Sequence, residues 1–333
     1  MAPLRTPLCE RLGVEHPIIQ AALGGATCPA LAAAVSNAGA LGMLVLTAAD
    51  LDTVRQQVRE TRALTRQPFG VNLNLRKPQD ERVDICLEEG VRVISFFWCD
   101  PTRELIERVH TAKATVLHTI DSAASARRVI DLGVDIVVAQ GWEAGGHVRG
   151  EVATLPLVPA VVDAVAPVPV VAAGGIADGR GLAAVLMLGA AGAWIGTRFL
   201  ASEEAAIHPR YRELILSASE TDTAFTELFD GGWPDAPHRV IRNKTFDAWE
   251  AAGRPSTGNR PGEGQVIGRT PAGKEVLRYQ SYTPGAAAEG DIDAMSLWAG
   301  QSVGIVKKVQ PAAAIVKEIV EEARSALSSA RDE

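Results

Sequence analysis

Short apolar runs alternate with amphipathic segments over the first two hundred residues, separated by glycine-rich or polar turns. His16–Ala22, Gly42–Leu46, Phe69–Leu75, Val91–Phe97, Ala114–His118, Asp135–Gln140, Pro169–Ala173 and Ala193–Ile195 read as strands. Between them, Pro29–Ala38, Leu51–Leu64, Asp80–Glu89, Pro101–Ala112, Ser122–Leu132, Leu155–Val165 and Gly179–Leu188 read as helices. Leu51, Val54, Val58 and Leu64 share one side of the second helix, and Asp50 caps it. Thr27 is placed to cap the first helix, and Gly39, Gly133 and Gly189 each close one. Eight strands, each followed by a helix, predict a (β/α)8 TIM barrel. An open doubly wound sheet would carry a GxGxxG turn after its first strand, and Gly24-Gly25 lacks it.

The rhythm breaks after Thr197. Glu203–Ala218 reads as a helix, with Glu204 and Arg212 on its wet face. Residues 220–297 are rich in Gly, Pro, Thr and Asn and include the loop PSTGNRPGEGQ. Trp233, Trp249, Tyr279 and Tyr282 there suit a satellite core or a lid. Gln301–Ala330 resumes a helix with Ile305, Val309, Ile315, Ile319 and Val320 along one side. The expectation is a barrel from 1–219 and 298–333. An insertion after strand eight, 220–297, forms a small lid or substrate subdomain.

The 333 residues are 47% hydrophobic and 22% charged, which is ordinary globular composition. A net charge of −7 gives no electrostatic case for nucleic acid or an anionic membrane. No apolar run reaches the ~18 residues that span a bilayer, and no secretory core opens the chain. Cys9, Cys28, Cys86 and Cys99 have no metal-type spacing. They read as reduced thiols of a cytoplasmic protein, and no metal site is expected. The sequon at Asn243 reads as chance.

Barrel enzymes place their chemistry at the C-terminal ends of the strands. Ala22, Leu23 and Gly24 follow the first strand, and Asn72 lies on the third. His118 and Thr119 end the fifth. Gln140, Glu143, Gly145, Gly146 and His147 follow the sixth, within DIVVAQGWEAGGHVRG. Gly174-Gly175 and Gly196-Thr197 follow the seventh and eighth, where such barrels often hold a phosphate. Bare backbone N–H groups with one hydroxyl suit a phosphate dianion. A mononucleotide or sugar phosphate fits better than a metal-bound triphosphate, because no Lys or Asp stands beside them. Asn72 and Gln140 offer amide donor and acceptor together, as a flavin's pyrimidine edge requires; each amide could equally bond neighbouring backbone. His147, on its glycine-paired loop, is the candidate acid or base. His118 ranks below it because its turn has no glycine pair.

The chain resembles the nitronate monooxygenase family, FMN-dependent TIM barrels. The matching stretches include PIIQAALGG, PFGVNLNL, GVDIVVAQGWEAGGH, VVAAGGIADGRGLAAVLMLGA, IGTRFLAS, HRVIRNKT and WAGQSVGIVKKVQPAAAIVKEIV. The resemblance implies that Ala22, Leu23 and Gly24 lie along the flavin ring. It places Asn72 and Gln140 on the ring's polar edges, with Gly145 and Gly146 flanking the cofactor. Gly174, Gly175, Gly196 and Thr197 would bind the FMN phosphate, and Gln301 and Ser302 would lie near the flavin. His147 would be the catalytic base or would position the substrate. Family members usually carry Pro-Met where this chain has Ala22-Leu23, and often Lys where it has Thr119. The implied reaction oxidises a nitronate or nitroalkane with O2 to a carbonyl compound and nitrite. A homodimer is compatible with the resemblance and not required by it. The alternative on the same scaffold is an FMN-dependent NAD(P)H-using reductase of the quinone or enoyl-acyl-carrier-protein type, which shares the EAGGH loop.

Overall fold

The computed structural model describes residues 4–329, so residues 1–3 and 330–333 of the expected barrel ranges, with the expected helix end at Ala330, lie outside the described residues. The strands are β1 (Ile18–Gln20), β2 (Gly42–Val45), β3 (Phe69–Asn74), β4 (Val93–Phe97), β5 (Thr115–Ile120), β6 (Ile136–Gln140), β7 (Gly146–His147), β8 (Val170–Ala173) and β9 (Gly192–Ile195). Past them come β10 (Thr223–Thr226), β11 (His238–Ile241), β12 (Val266–Arg269), β13 (Glu275–Leu277) and β14 (Glu289–Gly290). The helices in the barrel region are α1 (Pro7–Leu12), α2 (Pro29–Asn37), α3 (Leu51–Leu64), α4 (Asp80–Glu88), α5 (Arg103–Thr111), α6 (Ala123–Leu132), α7 (Thr154–Val165) and α8 (Gly179–Met187). Then follow α9 (Thr197–Leu200), α10 (Pro209–Ser217), α11 (Lys244–Ala251) and α12 (Ala312–Ser329).

Eight parallel strands run in the order β1-β9-β8-β6-β5-β4-β3-β2. Leu41, just before β2, bridges Ile19 in parallel and joins the two ends of the sheet into a barrel. Two apolar layers follow from the period of two along each strand. Ile19, Met43, Val93, Leu117, Ile136, Val138 and Val171 fill the inside of the barrel. Ile18, Leu44, Val71, Ile94, Val116, Val137 and Ala172 face the helices. No helix among the described residues is long and apolar enough to cross a membrane.

Local signals account for most boundaries. The Asp50 carboxylate accepts the Thr53 N–H and starts α3 at the expected residue. Ser122 and Ser125 form a reciprocal capping box on α6, which ends at Gly133 with φ 114°. Four expectations fail. Thr27 does not cap α2: Cys28 holds that position, and the Thr27 hydroxyl bonds Leu23 instead. β5 runs on to Ile120, so His118 and Thr119 lie within the strand. The helix expected from Glu203 starts only at Pro209, preset for a first turn, with His208 as its cap. The helix expected from Gln301 is a 3-10 turn, Gln301–Ile305, followed by irregular chain to Pro311. Pro311 cannot continue a helix from its N-terminal side. Ile305 and Val309 are therefore exposed, and α12 begins at Ala312, whose N–H is held by the Glu204 carboxylate.

Two small antiparallel sheets stand beyond β9. β10-β11-β7 joins 223–226 and 238–241 to the loop after β6, and β13-β12-β14 stands apart. Leu228, Phe229, Val240, Phe246 and Tyr279 form a satellite core with Trp249 and Trp298 against it. Tyr282 packs on the main core instead, and Trp233 belongs to neither. Asn243 caps α11 and donates to the Met295 carbonyl, so the sequon asparagine is a buried structural residue.

Candidate active site at the barrel mouth

Strand alternation decides which polar residues face the barrel axis. Thr119 lies two residues beyond the inward Leu117, and Gln140 two beyond the inward Val138. Asn72 points opposite to Val71 and Leu73 and donates to the Ser95 hydroxyl at 3.1 Å. Asn72 and Thr119 are buried. His118 faces the other way, fully buried toward the helices, 3.6 Å from Asp100. It takes no part in the mouth.

The glycine loops meet one another. A β-carbon on Gly145 would lie 2.4 Å from the Gly300 nitrogen and 2.5 Å from the Ala299 carbonyl carbon, so only glycine fits there. The Gly300 N–H donates to the Thr197 hydroxyl at 3.1 Å, and the Gln301 N–H to the Glu143 carbonyl at 3.0 Å. The Glu143 carboxylate accepts the Thr154 N–H and stands 3.2 Å from where a Gly175 β-carbon would be. Gly174 and Gly175 adopt φ of 105° and 71°, open to glycine and strained for other residues. Gly196 approaches Ala21 and Leu23 from the end of β1. Gly24 is exposed, with nothing within 4 Å of a β-carbon built on it. Ser302 sits beside Gln301 in the 3-10 turn. The loops after β1, β6, β8 and β9 and the 299–302 segment thus form one connected rim.

His147 lies on that rim in β7, where it pairs with His238 of β11. The Gln140 amide donates to the His147 carbonyl at 3.0 Å, which uses one of its hydrogens to fix the loop. The imidazole sits among aromatic rings. Trp233 stacks on it at 3.8 Å and 21°, Trp298 lies at 5.2 Å, His238 at 5.6 Å and Trp98 edge-on at 5.9 Å. Its Nε2 is covered and has no hydrogen-bond partner, a cost of about 1–3 kcal/mol unless something else binds there. Burial, then the neighbouring His238 and Arg76, push its pKa down to about 3. The ring is neutral at pH 7. His238 is locked: its Nδ1–H donates to the Ala236 carbonyl at 2.8 Å and its Nε2 accepts the Phe229 N–H at 3.2 Å. Burial pushes its pKa down to about 4 against that carbonyl bond.

Periodicity did not reveal Trp98, Trp233, Trp298 and His238 as part of this cage. Trp98 has φ 81°, a left-handed conformation rare for a large side chain, directly after β4. Its carbonyl accepts from Arg149. The one usable signal was Gly231-Gly232-Trp233-Pro234, a tryptophan carried in a turn sequence rather than a periodic segment. Beyond Trp98 an open cleft of about 480 Å³ is lined by Cys99, Asp100, Asp121, Arg149 and Asp235.

The model of the nitronate monooxygenase family matches residues 5–81 and 76–322. A (3aS,4S,5R,7aS)-5-hydroxy-7a-methyl-1-oxo-octahydro-1H-indene-4-carboxyl-CoA dehydrogenase from Mycobacterium tuberculosis is 41% identical over 254 residues, spanning 75% of this chain and 70% of that protein. The nitronate monooxygenase of Pseudomonas aeruginosa is 33% identical over 360 residues, 94% of this chain and 97% of that one. The solved structure of FabK from Thermotoga maritima is similar with a TM-score of 0.82 and 35% identity, covering 98% of this chain and 99% of that one.

Proposed function

The chain belongs to the nitronate monooxygenase family, and on that premise we propose that it oxidises alkyl nitronates with O2 to carbonyl compounds and nitrite, using FMN. The observation that carries this reading is the covered, unpartnered Nε2 of a neutral His147 on the same rim as the glycine loops. The rim suits FMN. The Gly174 and Gly175 N–H groups donate to no backbone carbonyl among the described residues, and Gly196 and Thr197 follow the neighbouring strand, β9. These four would hold the phosphate through N–H groups and the Thr197 hydroxyl. Asn72, Thr119 and Gln140 face the axis and would meet the ring's polar edge. Ala22, Leu23, Gly24, Gly145 and Gly146 would lie along the ring, near Gln301 and Ser302. Bound there, FMN would supply the electron transfer between substrate carbon and dioxygen.

The residues of the chain supply orientation and exclude water. A neutral imidazole with a pKa of about 3 is a weak base. It is poorly suited to strip the α-proton from a neutral nitroalkane while the aromatic cage is closed. A nitronate has already lost that proton, and its oxygen can take a hydrogen bond from Nε2–H. His147 therefore positions the nitronate, and Gln140 holds His147. Residues 220–297, which carry Trp233 and His238, act as the lid and substrate subdomain.

A second reading is favoured by a specific observation. The relative at 41% identity is named for a CoA thioester dehydrogenase, and FabK shares the scaffold at 35%. Under it, the same flavin site exchanges hydride with a nicotinamide. Steady-state oxygen uptake and nitrite release separate the two. Propane-2-nitronate should be turned over at pH 8 and neutral 2-nitropropane much more slowly. No nitrite from either compound, with NAD(P)H oxidised instead, would replace the first reading by the second.

A further inference from the structure

We propose that Arg76 and Trp233 form an anion-selective gate over His147, so that a planar, preformed nitronate is admitted by displacing the Trp233 indole. The inference rests on the nitronate reading and adds two specificity-determining residues to it.

Three layers are stacked at the mouth. The Arg76 guanidinium lies 5.1 Å from the Trp233 ring centroid, and the indole lies 3.8 Å from the imidazole. With Trp233 in this seat, that face of His147 is shut. The loop that carries it is pinned at both ends, and between them the Trp233 backbone N–H donates to the Asp230 carbonyl at 2.9 Å, which leaves the side chain to turn about its own bonds. Gly231 donates to the Tyr279 carbonyl at 3.0 Å and accepts from the Ser281 N–H at 2.9 Å, while the Pro237 carbonyl accepts the Val148 N–H at 2.9 Å. Gly232, Pro234 and Asp235 between them are exposed. Gly232 has φ 91° with nothing within 4 Å of a β-carbon built on it. The indole Nε1 is covered yet unpartnered, so no side-chain hydrogen bond fixes the closed position. The seat is held by ring contacts and by Arg76, whose Nη1 reaches the Gly232 carbonyl only at 3.5 Å.

Arg76 supplies the selectivity. It is exposed and makes no ion pair with a carboxylate among the described residues, in a chain of net charge −7. Asp230, close along the lid, is already taken by Arg260 at 2.9 Å. An uncancelled guanidinium at the rim attracts anions, and its fork matches a pair of oxygens sharing one charge. The layer vacated by the indole is one ring thick. A nitronate head is planar, with its charge spread over two oxygens; it enters through that layer beneath Arg76 and passes to the edge of the His147 ring, where Nε2 lies. A bulky or neutral substrate gains neither contact.

The test uses the holoenzyme with Arg76→Gln, Arg76→Lys and Trp233→Ala. Binding is read, apart from turnover, as the perturbation of the flavin's visible spectrum by sodium nitrate, an inert planar anion. Arg76→Gln should weaken nitrate binding about three- to fivefold and flatten its salt dependence, with Arg76→Lys recovering part of it. KM for propane-2-nitronate should rise more than kcat falls. Trp233→Ala should raise the preference for a bulky aryl nitronate over propane-2-nitronate about tenfold. Unchanged nitrate affinity in Arg76→Gln, or unchanged preference in Trp233→Ala, overturns the gate while nitronate turnover persists. Arg76-dependent nitrate binding without nitronate turnover keeps the gate and overturns the nitronate reading instead.

Discussion

Acidification from pH 8 to pH 5 should destabilise this protein through two histidines. An unfolded imidazole titrates near 6.5, whereas burial holds His147 at about 3 and His238 at about 4 in the fold. A folded pKa below the unfolded one means that the unfolded chain takes up the proton first. Their contribution is complete above about pH 6.5, is lost as pH falls below it, and levels off only near the folded values. Between pH 8 and 5 each group accounts for roughly 2 kcal/mol, so the pair accounts for roughly 4. That is a large part of a typical stability of about 5–15 kcal/mol. Carboxylates are largely ionised in both states over this window and contribute little to the slope. His16, also lowered by partial burial, adds with the same sign. The assay is urea unfolding of the holoprotein by far-ultraviolet circular dichroism at several pH values. His147→Asn should remove about half of the pH dependence, whatever it does to stability at pH 8. A wild-type loss below about 1 kcal/mol between pH 8 and 5, or an unchanged slope in His147→Asn, would refute the reasoning.

Other positions give sharper local tests. Gly145→Ala drives a β-carbon onto the Gly300 and Ala299 backbone, which cannot swing aside. It should cost about 3 kcal/mol and yield protein with little flavin, read as the 450 to 280 nm absorbance ratio; full flavin content and an unshifted Tm would contradict the close approach. Thr197→Val strips the Gly300 N–H of its acceptor and should cost about 1–3 kcal/mol in urea unfolding, while Thr197→Ser should restore it. Equal losses in both variants would show that the hydroxyl is not what matters. Cys99 is exposed, Cys28 is half-buried with its thiol donating to the Glu204 carbonyl at 3.2 Å, Cys9 and Cys86 are buried, and burial pushes the Cys86 thiol up to about 12. Ellman's reagent should therefore find one fast thiol that Cys99→Ser abolishes, and a fast equivalent surviving that substitution would contradict the assignment.

What the sequence revealed and what it concealed follow from the range of the interactions. Local chemistry was legible. Asp50 placed α3 to the residue, Gly133 ended α6, and the eight apolar runs became the eight barrel strands. The inward face of Asn72 follows from its alternation with Val71 and Leu73, whereas that of Thr119 does not, because the expected strand stops at His118 and β5 runs on to Ile120. Proline sets two helix starts that periodicity misses: α10 begins at Pro209 and α12 directly after Pro311, several residues past the expected starts at Glu203 and Gln301. The aromatic cage was hidden for another reason. Trp98, His147, Trp233 and Trp298 come from four separate stretches and meet only because β7 is stitched to β11. Neither hydrophobic period nor turn composition records such a meeting. The depressed basicity of His147 was equally out of reach, since it arises from that covering and not from the GGH sequence around it.

The most direct measurement of the central claim is rapid anaerobic mixing of the holoenzyme with propane-2-nitronate, followed at the flavin absorption band. The account predicts bleaching by the nitronate alone, restored on admitting oxygen, and much slower in His147→Ala that retains its flavin. Bleaching by NADH or NADPH only, with the nitronate inert, would contradict it.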